Sequence, residues 1–220
     1  MVVCQEELIT VGKTALIAII DYGAGNLRSV INAITHLGYR AKVTSTAAGL
    51  ERAAVIILPG VGAAGDTMAG LEQHNLVVHI HDVIAAGKPF LGICVGLQVL
   101  FSDTEEGGAH DCLGIILGRV KKLPPGRKIP HIGWNQVRQI APHPIYEGIP
   151  DNTNFYFVHS YYADPDDRSL IIGKTEYGIS FCSVIARGNL VATQFHPEKS
   201  GEFGLKIYDN FIKQALRGKI

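Results

Sequence analysis

Charge is scarce in this sequence and it cancels: 20 Lys plus Arg stand against 20 Asp plus Glu, and only 18% of the 220 residues are charged. No basic run is longer than Lys121-Lys122, so the electrostatic footprint of a nucleic-acid binder is missing. Long hydrophobic runs are missing too. Stretches such as Ala15 to Ile20 are far too short to cross a bilayer, which argues against a membrane partner. Residues Met1 to Lys13 carry Glu6-Glu7 and no basic segment followed by an apolar one, so they do not read as a secretion signal. The expectation is a short tail over 1–14 ahead of one domain over 15–220, with no low-complexity linker or internal repeat to divide it. Cysteine is sparse as well. Cys4, Cys94, Cys112 and Cys182 are scattered without C-x-x-C spacing, which suits a reducing, cytoplasmic compartment better than a disulfide framework.

What is plentiful is apolar residue, 47% of the chain, arranged in short runs that alternate with helical patterns. Ala15 to Ile20 reads as a buried strand, followed by the glycine-rich turn Asp21 to Asn26. Leu27, Val30, Ile31, Ile34 and Leu37 then share one helical face, with Gly38 as the stop. Arg40 to Thr44 and Ala54 to Leu58 are further strands, and helical segments over Ala63–Leu71 and Leu76–Ala86 lead to another at Phe90 to Ile93. This alternation predicts parallel β-α-β units. From about Gly114 the pattern changes. Ile115–Leu123, Ile132–Ile140, Phe155–Val158, Leu170–Thr175, Ile179–Ala186 and Leu190–Gln194 read as strands joined by tight turns, before a last helix over Phe203–Leu216. The fold class is therefore α/β: an open, mostly parallel, flavodoxin-like sheet with helices on both faces and an antiparallel extension. Ligands of such sheets sit at the C-terminal ends of the strands.

At one of those ends stands Gly92-Ile93-Cys94-Val95-Gly96, the cysteine form of a nucleophile elbow. A strand-to-helix turn this tight needs glycine beside the nucleophile. The helix start then offers unpaired N–H groups to a sulfur or an oxyanion. A cysteine nucleophile needs a base, and the base an orienting acceptor. Of nine histidines, His196 differs in following a strand and in lying within His196-Pro197-Glu198. Pro197 is expected to fix this stretch in an extended form, and extended residues two apart share a side, so Glu198 can set the imidazole tautomer while the other nitrogen faces Cys94. Each element alone also fits a plainer reading, a buried thiol or a surface turn. Their placement at the same end of one sheet favours the catalytic one.

Gly60-Val61-Gly62-Ala63-Ala64-Gly65 matches the dinucleotide pattern G-x-G-x-x-G. That pattern also needs an acid closing the next strand about 20 residues on. Asp82, near that distance, falls in a helical stretch. The better reading is a loop beside Cys94 that offers an N–H from Val61 or Gly62 opposite that of Val95, two donors for an oxyanion.

Gly92 to Gln98 and Gln194 to Ser200 together resemble the triad-type (class I) glutamine amidotransferases. Asp21 to Leu27, Pro59 to Gly62, His131 to Asn135 and Tyr156 to Tyr161 narrow the resemblance to the glutaminase subunits of imidazole glycerol phosphate synthases, from about Ala15 onward. Val95 stands where that pattern frequently has leucine. The resemblance implies a Cys94–His196–Glu198 triad that hydrolyses glutamine through a thioester, without cofactor or metal. It further implies that Gly62, Gln98, Glu106, Ser160 and Tyr161 hold the substrate's amino-acid end. Asn26, Trp134, Tyr156 and Lys199 would then meet a (β/α)8-barrel cyclase subunit that consumes the ammonia in histidine biosynthesis. A relative serving another acceptor enzyme, or a non-catalytic flavodoxin-like module, are the competing expectations.

Overall fold

The computed structural model describes residues 15–23 and 26–218; the expected tail over 1–14 lies outside them. In chain order, the first half runs β1 (Leu16–Ile20), α1 (Leu27–His36), β2 (Arg40–Thr44), α2 (Ala47–Arg52), β3 (Val55–Gly60), α3 (Ala64–Gln73), α4 (Val77–Ala85) and β4 (Phe90–Cys94). The elbow helix α5 (Val95–Gln98) follows, then β5 (Asp103–Thr104), β6 (His110–Asp111), β7 (Gly118–Lys122), β8 (His131–Gln139) and β9 (Thr153–His159). The chain closes with β10 (Tyr161–Pro165), β11 (Ile171–Glu176), β12 (Ser180–Arg187), β13 (Leu190–Thr193) and α6 (Gly201–Leu216).

The strands β2-β1-β3-β4-β13 lie side by side and parallel. From β13 the sheet continues through β12, β10 and β7, each of these neighbours antiparallel. β3, β4 and β13 are buried along their whole length, which explains why they read as unbroken apolar runs rather than alternating ones. Helix α1 packs with α6, and α2 with α4; each pair also touches β1. Val30, Ala33 and Ile34 turn inward from α1, and Ile207, Tyr208, Phe211 and Ile212 from α6. Among the described residues no helix is long and apolar enough to cross a membrane.

Register places the site. In the parallel half β4 lies between β3 and β13, and Gly60 at the end of β3 pairs with Cys94 at the end of β4. On its other side Thr193 pairs with Ile93, so the chain leaving β13 passes the same point. The loops after β3, β4 and β13 therefore converge at one edge, as expected for a doubly wound sheet.

Several expectations need correction. The apolar spacing of Val95, Val99, Leu100 and Phe101 suggests a longer helix than the single turn of α5. The reason is a returning segment: the N–H groups of Leu113, Gly114 and Ile116 donate to the carbonyls of Val99, Phe101 and Leu100, which a continuing helix would have used. The same pairing keeps Ile115 to Leu117 out of the strand expected over 115–123, and β7 starts at Gly118. Strands β5, β6 and β10 and helix α2 were not anticipated. β10 is Tyr161-Tyr162-Ala163-Asp164-Pro165, whose last three residues are depleted in strands, and β7 pairs with all of it. α2 is short, and its one legible signal is Thr46, whose hydroxyl accepts the Gly49 N–H.

Candidate active site

Cys94 closes β4 with φ 55 and ψ −108, a backbone region that side chains rarely enter. Glycine makes the turn possible. A β-carbon on Gly96 would stand 2.0 Å from the Leu58 carbonyl oxygen, and one on Gly60 would stand 2.4 Å from the Gly96 nitrogen. The elbow helix thus lies directly on the backbone of β3. Cys94 is 3% exposed, with its sulfur 3.8 Å from the Val158 carbonyl and 3.6 Å from the Gln194 side-chain nitrogen.

His196 begins the 3₁₀ turn Pro197–Lys199. The turn corrects the expectation of an extended His-Pro-Glu stretch. Proline is well suited to the first position of a helical turn, and the N–H groups of Lys199 and Ser200 donate to the carbonyls of His196 and Pro197. The side chains still meet: His196 Nδ1 donates to Glu198 Oε1 at 2.8 Å, both side chains being almost fully buried. The second carboxylate oxygen accepts from the Tyr208 hydroxyl of α6 at 3.3 Å. His196 Nε2 is buried and makes no hydrogen bond among the described residues, and Cys94 lies close enough to act on the ring. Burial pulls the imidazole pKa down, but Cys94 and Glu198 outweigh it and push the value up to about 10. The backbone is pinned as well: His196 N–H donates to Tyr156 O, and the Ser200 hydroxyl donates to His196 O.

Cys94 and His196 open into a cavity of about 240 Å³ that is also lined by Val61, Gly62, Val95, Gln98, Glu106, Ser160 and Tyr161. Every residue expected to bind substrate or oxyanion is therefore on its wall. Gly62 has φ +89, a left-handed conformation that suits glycine, with open space where a β-carbon would be. One oxygen of Glu106 accepts the Ala64 N–H at 2.7 Å, at the start of α3. Gln98 spends its side-chain nitrogen on Tyr161 O at 2.9 Å and on Gln194 Oε1 at 3.2 Å. A buried sulfur, an imidazole backed by a carboxylate, and a small polar cavity at the start of a helix suit acyl transfer from an amide.

Known proteins agree. A family model described as "Glutamine amidotransferase class-I" matches residues 18–215. The chain belongs to the class-I glutamine amidotransferases. An imidazole glycerol phosphate synthase subunit HisH from Dehalococcoides mccartyi (strain CBDB1) is 56% identical over 204 residues, 93% of this chain and 100% of the relative. One from Moorella thermoacetica is 53% identical over 195 residues, 89% of this chain and 93% of the relative. A chain in the structure of PurLQS from Thermotoga maritima shares the fold, with a TM-score of 0.72 at 18% identity, covering 90% of this chain and 97% of its own.

This class-I amidotransferase also carries an exposed patch beside the cavity. Trp134 and Ile132, each 57% exposed, project from β8. Trp134 stands edge-on to Tyr156, its register partner on β9, at 6.1 Å between ring centroids. The Lys199 ammonium lies 5.9 Å from the Tyr156 ring centre, and Lys199 also lines the cavity. Asn26 caps α1, and α1 packs on the Pro197–Lys199 turn. Four residues at the site escaped the sequence reading. Gln194 touches the sulfur, Tyr208 holds Glu198, and Val158 and His159 line the cavity. Gln194 and His159 lie within the motifs quoted above, and adjacency to His196 and Ser160 is the signal that pointed to them. Tyr208 had none beyond its place in an amphipathic helix.

Proposed function

We propose that this chain is the glutaminase subunit of an imidazole glycerol phosphate synthase and supplies ammonia to a (β/α)8-barrel cyclase subunit. Two relatives that match along most of their length and bear that subunit name support the reading. The observation that carries it is the meeting of Cys94 and His196, the latter backed by Glu198, at a cavity of about 240 Å³, a size suited to a single free amino acid.

In this reading Cys94 Sγ attacks the side-chain amide carbon of glutamine while His196 Nε2 holds the thiol proton. The proton passes to the leaving nitrogen, the C–N bond breaks and ammonia departs, leaving a γ-glutamyl thioester. Water, activated by the same imidazole, then releases glutamate and restores the thiol. Glu198 keeps the Nδ1–H tautomer and stabilises the imidazolium. The Val95 N–H and one from Val61 or Gly62 receive the oxyanion. Gln98, Glu106, Ser160, Tyr161 and Gly62 bind the amino-acid end, with Glu106 facing the α-ammonium. Trp134, Tyr156, Lys199 and Asn26 meet the cyclase, and Trp134 is its aromatic anchor. The free thiols of Cys94, Cys112 and Cys182 fit a cytoplasmic setting.

The test pairs the full chain with its cyclase and the acceptor nucleotide. Glutamine should support imidazole glycerol phosphate formation, Cys94→Ala should abolish that support, and ammonium salts should restore it. A glutamine-like diazo electrophile should add once, at Cys94. Turnover of glutamine by Cys94→Ala would refute the assignment.

A further inference from the structure

Two buried histidines outside the triad carry a pattern that the proposed chemistry does not use. His159 ends β9 and His131 begins β8. His159 Nδ1 lies 2.8 Å from the Tyr161 carbonyl oxygen, which can only accept, so this nitrogen carries the proton. His159 Nε2, 3.0 Å from His131 Nδ1, must then accept, and His131 Nδ1 must donate. At the far end Asn135 Nδ2 donates to Glu176 O at 3.0 Å and stands 3.3 Å from His131 Nε2. The Asn135 amide is itself oriented, because its oxygen accepts the Gln136 N–H at 2.8 Å. Both ends of the chain are therefore fixed by backbone groups, and each link between them runs in one direction only. Both rings are neutral and both are Nδ1–H, the tautomer less favoured in water. Protonating either one would set donor against donor. Burial works in the same sense, pulling His131 down to about 4 and His159 to about 3.

The Tyr161 carbonyl receives two donors, His159 Nδ1 and Gln98 Nε2. Tyr161 is the first residue of β10, joined to β9 through Ser160 alone, and Ser160 and Tyr161 both line the cavity. We propose that His159, locked in its Nδ1–H tautomer by His131 and Asn135, is a positioning residue that holds the Ser160–Tyr161 wall for glutamine binding. This rests on the cavity being the glutamine site. His159 acts through the Tyr161 backbone and takes no part in the acyl transfer.

Two amides dissect the two ring nitrogens. The nitrogen of His159→Asn can take the place of Nδ1 and keep the bond to Tyr161, whereas His159→Gln reaches toward Nε2 and loses it. In the complex with the cyclase and acceptor nucleotide, His159→Gln should raise the glutamine KM about five- to tenfold, the loss of one buried hydrogen bond, with kcat within about twofold. His159→Asn, which keeps the donor to Tyr161, should raise KM clearly less than His159→Gln does. A general packing defect would instead harm both variants alike and lower the fraction of chains that a Cys94-directed electrophile can titrate. Unchanged KM in His159→Gln, or equal damage in His159→Asn, overturns the proposal. Should the variants fail to fold, the unaltered protein answers through ¹⁵N imidazole shifts: both rings should be neutral Nδ1–H, and an Nε2–H form of either overturns the relay. A wild-type complex that releases no glutamate overturns the glutamine-site reading and the wall with it. An active wild type beside a His159→Gln of normal KM overturns the wall alone.

Discussion

Replacing Glu198 by glutamine removes a charge and little else, because the amide oxygen can still accept from His196 Nδ1 while the nitrogen turns to Tyr208. The present bond, 2.8 Å long between side chains only 2% and 5% exposed, is charge-assisted and shielded from water. Hydrogen bonds to charged groups contribute about 1.5–3 kcal/mol against about 1 for neutral ones, so the substitution should cost about 0.5–2 kcal/mol at the step that builds imidazolium charge. That is a fall in kcat of about two- to thirtyfold. Glu198→Ala goes further. It strands the buried Nδ1–H and the Tyr208 hydroxyl and frees the ring to take the wrong tautomer, adding about 1–3 kcal/mol for the unmade bond and bringing the loss to about 10- to 5,000-fold. Glutamate release by the complex, measured with the acceptor nucleotide present, gives these ratios. Ammonium-driven cyclisation serves as the control and should not change. Glutamine and alanine variants of equal activity would refute the argument, because the charge and the tautomer would then contribute nothing separately.

Gly96→Ala places a β-carbon 2.0 Å from Leu58 O, which β3 cannot yield, so overpacking of about 1–3 kcal/mol should lower Tm by about 2–12 °C and displace Cys94. A thermal melt with unchanged Tm would show that the elbow does not bear on β3. Trp134→Ala should leave Tm almost unaltered, the ring being 57% exposed, yet weaken cyclase binding about thirtyfold, the roughly 2 kcal/mol of an aromatic anchor. Calorimetric titration with the cyclase measures it, and an unchanged Kd sinks the assignment. His131 and His159 titrate at about 4 and about 3 when folded, below the ordinary 6.5, so their contribution to stability is present above pH 6.5 and lost as pH falls toward those values. The raised His196 acts in the other direction: its contribution is complete below pH 6.5 and lost as pH rises through about 10. Urea melts between pH 6.5 and 5 should therefore lose stability at up to about 1.4 kcal/mol per pH unit for each of the two neutral histidines. His143 is lowered by burial as well and adds to the same slope, so His131→Asn, which can keep the donor to His159, should remove only His131's share of it. A flat profile in the wild type refutes the burial of neutral rings.

The parts of this site that could be read from residues alone are those whose chemistry is local. The elbow is legible because Gly92, Cys94 and Gly96 lie within one turn, and the strain at Cys94 and the absence of β-carbons around it are consequences of that turn. His196 and Glu198 are two residues apart, so their meeting survives even though the backbone between them is a 3₁₀ turn and not the extended form first inferred. What could not be read depends on distant partners. Tyr208 reaches Glu198 only because α6 folds back over the turn, and nothing in its neighbours distinguishes it from the core aromatics of that helix. β10 is a strand by virtue of β7 and β12, and α5 is short by virtue of residues that return far later. The same distinction separates the two pairs of imidazole bonds. The triad histidine finds its carboxylate two positions away, whereas His159 finds His131 across a β8–β9 pairing in which they stand opposite each other. A pairing slip of one residue would turn one ring toward solvent and leave the other buried without a donor. The register of that hairpin, and not the identity of either histidine, therefore decides whether the Ser160–Tyr161 wall is held.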